Sequence, residues 1–367
     1  MLKPVKTPCL IMFLIYNLKI DKRLFMFGFF NRFLSHDLAI DLGTANTLIY
    51  AKDKGVILNE PSIISVQENE HHQESTIAIG TEAKKMLGRT PASIRVVRPM
   101  KDGVIADFEL TGKMLKHFIR KATEGRPSRV VICVPYGATQ VERKTIAESA
   151  KAAGASDVFL IEEPMAAALG AGLPVNEAAG CMIVDIGGGT TEIGILAMNE
   201  VVYANSIRTA GNAFDEAITL YARREFGVII GDVTAENIKQ TIGTAYPVEN
   251  VESMIITGRS ISRGTPRTFS INSNEVFEAL KDPLNRIIQA IITSLELTPP
   301  ELASDIISRG LVLAGGGALL SNMDRLLSEA TGLPVIIAEN PLCCVARGTG
   351  YALDLIGTQH PILSQIP

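Results

Sequence analysis

Two short stretches of this chain could hold phosphate. Residues 41–49 read Asp-Leu-Gly-Thr-Ala-Asn-Thr-Leu-Ile, and residues 185–193 read Asp-Ile-Gly-Gly-Gly-Thr-Thr-Glu-Ile. Asp, Gly, Thr and Ile recur in register at an offset of 144, about one domain length. Each copy follows an apolar run (38–40 and 181–184) and leads through a polar turn into a further strand-like run. Asp-x-Gly at a tight turn sets a carboxylate beside bare backbone N–H groups. Such N–H groups cradle phosphate oxygens, and the carboxylate can hold the water shell of Mg²⁺. Two such turns facing each other would clamp a nucleotide's phosphates from both sides. A single Asp-x-Gly turn would be ordinary hairpin chemistry; its duplication in register carries the reading.

Those turns must be positioned by two similar halves. In the first, a hairpin region at 38–66 precedes a polar stretch at 67–76, a helix at 81–87 and a strand at 94–99. A helix at 109–122, a buried strand at 130–134, a helix at 140–153 opened by Thr139, a strand at 157–161 and a helix at 163–169 follow. In the second, a hairpin at 181–207 leads to helices at 211–226 and 234–244, the latter with Thr234 as N-cap. Strands are expected at 251–257 and 268–271, and one helix or two at 273–297, kinked or restarted by Pro283. A buried strand at 311–314, Gly315-Gly316-Gly317 opening a helix at 319–331, an edge strand at 334–338 and a closing helix at 345–356 complete it. Strand–helix alternation in both halves predicts an α/β fold of two similar domains around a cleft. The expected boundaries are an extension at 1–36, domain I at 37–180 and domain II at 181–339. Smaller subdomains are expected at about 67–108 and 212–262, and the closing helix, 340–357, returns to domain I.

Composition narrows the class. The 367 residues are 47% hydrophobic with 31 glycines, which suits large cores and many close backbone approaches. Five cysteines, an odd number with three in or beside apolar runs, fit reduced thiols of a cytoplasmic protein. Their spacing and the scarcity of His argue against a Cys/His metal site. Residues 1–35 carry six basic side chains against Asp21 alone, net +5, and leave −9 on the rest of a chain whose total is −4. An acidic body argues against nucleic-acid binding, and the basic, apolar extension points to an anionic membrane surface. Within it, 9–16 is apolar but too short to span a bilayer. On a helix over 26–34, Met26, Phe27, Phe30, Phe33 and Leu34 share one face, as in a helix lying in the membrane interface. Translation could begin at Met1 or at Met26.

The motifs, in order, are Asp-Leu-Gly-Thr-Ala-Asn-Thr (41–47), Ile-Glu-Glu-Pro-Met-Ala-Ala-Ala-Leu-Gly (161–170), Asp-Ile-Gly-Gly-Gly-Thr-Thr-Glu (185–192), Leu-Ala-Gly-Gly-Gly-Ala (313–318) and Val-Ala-Arg-Gly-Thr-Gly (345–350). This series resembles the actin, sugar-kinase and DnaK-type chaperone superfamily: phosphate 1, connect 1, phosphate 2, adenosine, connect 2. Residues 134–144 and 299–306 further resemble the MreB family, the bacterial actins of rod-shaped cells. The resemblance covers about 37–357. It implies an actin-like fold and an ATP site in which Asp41 and Asp185 hold Mg²⁺ through its waters. Gly43, Thr44, Ala45 and Asn46 would meet one side of the phosphates, and Gly187, Gly188 and Gly189 the other. Glu163 would activate the hydrolytic water with Thr190 assisting, Glu162 being the competing choice. Pro164 suits a first helical turn and puts Glu163 at its N-cap. Gly315, Gly316, Gly317 and Ala318 would meet the adenosine, and Glu236 and Lys239 the ribose and base.

The same ATP cleft serves kinases, chaperones and filaments, and a fold alone does not choose among them. A DnaK-type chaperone would need a further β-rich domain, and a sugar kinase a catalytic aspartate aimed at a hydroxyl. The resemblance therefore implies an ATPase that forms membrane-associated filaments and organises cell-wall synthesis, with a sugar-kinase-like phosphotransferase as the alternative. It also implies head-to-tail stacking, antiparallel pairing through the helix near 141–152, and the partners RodZ, MreC and MreD. Its place would be the cytoplasmic face of the inner membrane. Some relatives carry a hydrophobic membrane loop where this chain has the polar turn 124–128, so attachment falls to the N-terminal helix.

Overall fold

A computed structural model describes residues 37–68, 74–123, 127, 129–358 and 360–365. The N-terminal extension, and the turn at 124–128 apart from Pro127, lie outside the described residues. Two sheets repeat one plan. The first runs, edge to edge, Ser364–Gln365, Asp157–Glu162, Arg129–Val134, Leu38–Leu42, Asn46–Ala51 and Gly55–Pro61. The second runs Val335–Ile337, Leu311–Ala314, Cys181–Ile186, Thr191–Ala197 and Glu200–Ile207. In each, a three-stranded antiparallel meander joins a parallel partner along its first strand, Arg129–Val134 or Leu311–Ala314. The register repeats as well: Asp41 faces Leu48, and Asp185 faces Glu192.

The strands next to the parallel joins read as near-continuous apolar runs because both faces are covered. Arg129–Val134 and Cys181–Ile186 are buried along almost their whole length. One face of the first sheet packs on the helices Phe108–Ala122 and Gln140–Ala153 through Met114, Leu115, Phe118, Ile146 and Ala150. Thr139 caps the second of these with a full capping box to Glu142. The other face meets the second sheet through a layer of two short helices, Glu163–Gly170 and Cys344–Ala352. These cross in direct backbone contact. A Cβ on Gly170 would lie 1.8 Å from the Cys344 carbonyl oxygen, and one on Gly348 1.8 Å from that of Ala166.

Each half carries a smaller satellite. The first holds the sheet of Ile64–Glu68, Glu74–Ile79 and Ile94–Val97 with the helix Thr81–Met86. The second holds Val228–Ile229, Ser253–Ser260 and Pro266–Asn272 with the helix Asp232–Ile242, so its sheet runs past residue 262.

Several local expectations shift. Gly231, not Thr234, is the N-cap before Asp232–Ile242, and it makes no side-chain cap bond. The N-cap of Glu163–Gly170 is Glu162, which places Glu163 at the first helical position and Pro164 within the permitted first turn. The region 273–297 is a single helix, Ser273–Glu296, with Pro283 inside it. After the strand Leu311–Ala314, the glycines lead into a 3₁₀ turn, Gly316–Leu319, and the α-helix begins only at Met323. Gly315 sits at φ +79°, where a Cβ would lie 2.4 Å from the Ile186 carbonyl, so the chain turns too sharply there for an α-helix to start.

Candidate nucleotide-binding cleft

The two Asp-x-Gly turns lie at the same end of the two sheets and face each other across one cavity of about 500 Å³. Asp41, Gly43, Thr44, Ala45 and Asn46 line one wall, and Asp185, Gly187, Gly188, Gly189 and Thr190 the other. Glu163, Glu236, Lys239, Gly315, Gly316 and Gly317 line it too. Of the residues singled out in the sequence for this site, Ala318 and the competing Glu162 do not: Ala318 is fully buried in the second domain's core. The 3₁₀ turn carries its side chain away from the cleft.

The two turns approach closely because side chains are missing between them. A Cβ on Gly188 would lie 2.5 Å from the Ala45 Cβ, and one on Gly189 2.9 Å from the Thr44 hydroxyl oxygen. The second turn is held from behind: the N–H groups of Gly211 and Asn212, opening the helix Gly211–Glu225, donate to the carbonyls of Gly187 (3.1 Å) and Gly188 (2.7 Å). Over both turns sits a tight hairpin, Met100–Lys101 to Val104–Ile105, with Asp102 and Gly103 at positive φ. The Gly103 N–H donates to the Thr44 hydroxyl at 3.1 Å. Asp-Gly is a recognisable hairpin signal that would have found this cover in the sequence.

Acidic groups crowd the floor. Asp185 is 3% exposed, and its Oδ2 is buried without a hydrogen-bond partner among the described residues. Burial, then the charge of Asp41, then that of Glu192, pushes the Asp185 carboxyl up to about 8. Burial pushes Asp41 up to about 7. Glu163 is raised by burial first and then by Glu192, Asp185 and Asp41. Glu192 was not singled out in the sequence, being hidden inside a strand as the cross-strand neighbour of Asp185. It is fully buried and accepts from the Ser206 hydroxyl at 2.5 Å; burial still lifts it to about 7.

Carboxyls crowded in this way are each held toward the neutral form, and a divalent cation among them would reverse that. Two carboxylates from opposite walls, one with an orphaned oxygen, fit a hydrated Mg²⁺ that keeps several waters. Among the described residues no group of three or more His, Cys, Asp or Glu side chains is arranged to ligate a metal.

Glu162 and Glu163 part company at the strand end. Glu163 lines the cavity, whereas the Glu162 carboxylate turns away from it to an ion pair with Arg143 at 2.9 Å. At the mouth, Lys84 of the first satellite pairs with Glu236 of the second at 2.8 Å, and Lys239 pairs with Asp215 at 2.7 Å. Lys239 also donates to the Gly211 carbonyl at 2.9 Å. Lys84, Arg98, Asn212, Asp215 and Leu342 all line the cleft and carry no local motif. No helix among the described residues is long and apolar enough to cross a membrane.

The comparisons with known proteins agree with this geometry. The chain is 58% identical over 332 residues to the cell shape-determining protein MreB of Escherichia coli strain K12, covering 89% of this chain and 96% of that protein. It is 48% identical to the cell shape-determining protein Mbl of Bacillus subtilis strain 168, over 87% of this chain and 96% of the relative. The fold superposes with a TM-score of 0.84 on MreB5 of Spiroplasma citri bound to AMPPNP, at 39% identity, covering 88% of this chain and 97% of the other. A MamK double helical filament, 22% identical with a TM-score of 0.73, shares the fold. The architecture is the actin-like α/β fold. The sequence pattern of the MreB/Mbl protein family matches residues 35–360, and the chain belongs to that family.

Proposed function

We propose that this chain is an ATP-binding and ATP-hydrolysing bacterial actin that assembles into membrane-associated filaments and helps to set rod cell shape. The observation that carries the reading is the pair of facing Asp-x-Gly turns, with Glu163 between them in one cleft. Asp41 and Asp185 would hold Mg²⁺, which would neutralise phosphate charge when bound. Gly43, Thr44, Ala45 and Asn46 would cradle the phosphates from one wall and Gly187, Gly188 and Gly189 from the other. Gly315, Gly316 and Gly317 would meet the adenosine end, with Glu236 and Lys239 near the ribose and base. Glu163 would orient a water and accept its proton at the carboxylate, with the Thr190 hydroxyl beside it. The domain boundaries read from the sequence are part of this proposal, the cleft lying between the halves that meet near residue 180.

Family membership supports the filament reading over a sugar kinase. The E. coli and B. subtilis relatives are named for cell-shape determination, and the S. citri relative was solved with a nucleotide analogue. Filament pairing, the membrane's cytoplasmic face and the partners RodZ, MreC and MreD belong to the proposal by resemblance. Purified chain with Mg·ATP should sediment as polymer and release phosphate, and should do neither without Mg²⁺. Turnover that rises with added sugar, with no pelletable polymer, would overturn the reading in favour of the phosphotransferase.

A further inference from the structure

We infer that Arg143 is a positioning residue for hydrolysis: its guanidinium fixes the strand ends from which Glu163 enters the cleft. The inference rests on the hydrolytic role proposed for Glu163. Arg143 lies one turn into the helix Gln140–Ala153, outside the cleft, and its side chain is 21% exposed. Its Nε donates to the Ala138 carbonyl at 3.1 Å, and its Nη2 to the Tyr136 carbonyl at 3.4 Å and the Glu162 carboxylate at 2.9 Å.

Those three acceptors sit at the ends of two neighbouring parallel strands. Val134 and Glu162 are register partners and the last residues of Arg129–Val134 and Asp157–Glu162. Beyond Val134, Pro135 lines the cleft, and the Tyr136 backbone N–H offsets part of the rise in pKa of the buried Glu192 carboxyl, whose charge in turn acts on Glu163. Beyond Glu162, the next residue is Glu163 itself. Glu162 is also the N-cap of the helix Glu163–Gly170, yet its side chain makes no capping bond. The short side chains of Asp, Asn, Ser and Thr ordinarily turn back to the helix N–H groups, and the longer glutamate carboxylate is free of that role. Here it is given to Arg143 instead. One planar fork thus ties together both loops that reach the reacting end of the cleft. A misplacement of about 1 Å at a reacting group can cost on the order of 10²-fold in rate.

The fork is the part that matters. A lysine could satisfy the Glu162 charge, but it lacks the rigid fork that spans the loop carbonyls and the carboxylate together. Glu162 and Arg143 should therefore act as one unit, whereas independent sites would add.

The test uses the full chain and reads phosphate release and binding of a non-hydrolysable ATP analogue. Arg143→Ala should lower kcat about 10- to 100-fold with analogue affinity within about twofold of wild type. Glu162→Gln should fall similarly, and the double variant no further than the larger single effect. Arg143→Lys should recover only part of the rate. A role in stability alone would lower the melting temperature and leave kcat of the folded fraction unchanged. Glu163→Gln is the control. If it loses rate while Arg143→Ala and Glu162→Gln keep theirs within about twofold, the Arg143 inference is overturned and the reading of Glu163 stands. If Glu163→Gln itself keeps full rate, the hydrolytic reading falls and the inference falls with it. Should Arg143→Ala fail to fold, Glu162→Gln and Arg143→Lys decide the same question.

Discussion

Asp185→Asn should stabilise the nucleotide-free protein while removing its response to Mg·ATP. In the folded chain, burial and the neighbouring acids hold the Asp185 carboxyl near a pKa of about 8; in the unfolded chain it titrates near about 3.9. Between those values the folded state keeps a proton that the unfolded state releases. Stability is therefore lost as pH rises, by about 1.4 kcal/mol per unit for each such group. Across the roughly three units from pH 4 to 7 the ceiling is about 4 kcal/mol. Water entering the open cleft and exchange of protons with Asp41 and Glu192 lower that to about 1–2 kcal/mol. Asparagine does not titrate, so the variant should escape this loss and melt about 2–6 °C higher at neutral pH. The gain should shrink toward pH 4 and vanish below about pH 3, where both states of the wild type are protonated. Thermal melts by fluorescence at several pH values, with and without Mg·ATP, measure both effects. An unchanged or lower melting temperature at neutral pH, with the Mg·ATP response intact, would refute the charge argument and the metal assignment together.

Other perturbations test other parts of the molecule. Lys84→Ala removes a half-exposed ion pair of the kind worth about 0.5–1 kcal/mol, so fluorescent nucleotide should leave about two- to fivefold faster in dilute buffer. That difference should fade at about 0.5 M salt, and equal release rates in dilute buffer would count against a cross-cleft contact. Gly348→Ala drives a Cβ into the Ala166 carbonyl and should cost more than about 3 kcal/mol in urea titrations. Gly112→Ala, on a helix face with only the Ser149 hydroxyl at 3.9 Å, should be neutral or stabilising by up to about 1 kcal/mol. Similar losses for the two glycines would show that the crossing is looser than described. Phe30→Glu with Phe33→Glu should leave ATP-dependent polymer intact and abolish co-sedimentation with anionic vesicles. Retained binding would move the anchor elsewhere in the chain.

What was legible in the sequence was local. The duplicated Asp-x-Gly turns, the buried strands and the helix start at Thr139 follow from residues within a few positions of one another, and the sheets carry the two turns in the same register. What was hidden depends on approach through space. Lys84 and Glu236 lie 152 positions apart, and nothing in either neighbourhood announces the other. Glu192 reads as part of a phosphate turn, but only the sheet shows that it lies buried beside Asp185. Ala318 belonged to a glycine-rich motif, yet the turn at Gly315 rotated it into the core. Resemblance alone put Glu163 ahead of its neighbour Glu162; the strand end turns Glu162 to Arg143 and Glu163 to the cavity.

The glycine contact between Glu163–Gly170 and Cys344–Ala352 has a mechanical consequence. Helices kept apart by long side chains can slide as those chains change rotamer. Helices that touch backbone to backbone have no such slack, and the motion left to them is rotation about the point of contact. Gly170 and Gly348 therefore form a bearing between the two sheets. Glu163 is the first residue of one of its two shafts, and the satellites carrying Lys84 and Glu236 are the outer ends of the levers. Lys84 and Glu236 at the mouth and Glu163 at the start of one crossing helix are thus joined through a contact that has no side-chain slack to absorb a displacement.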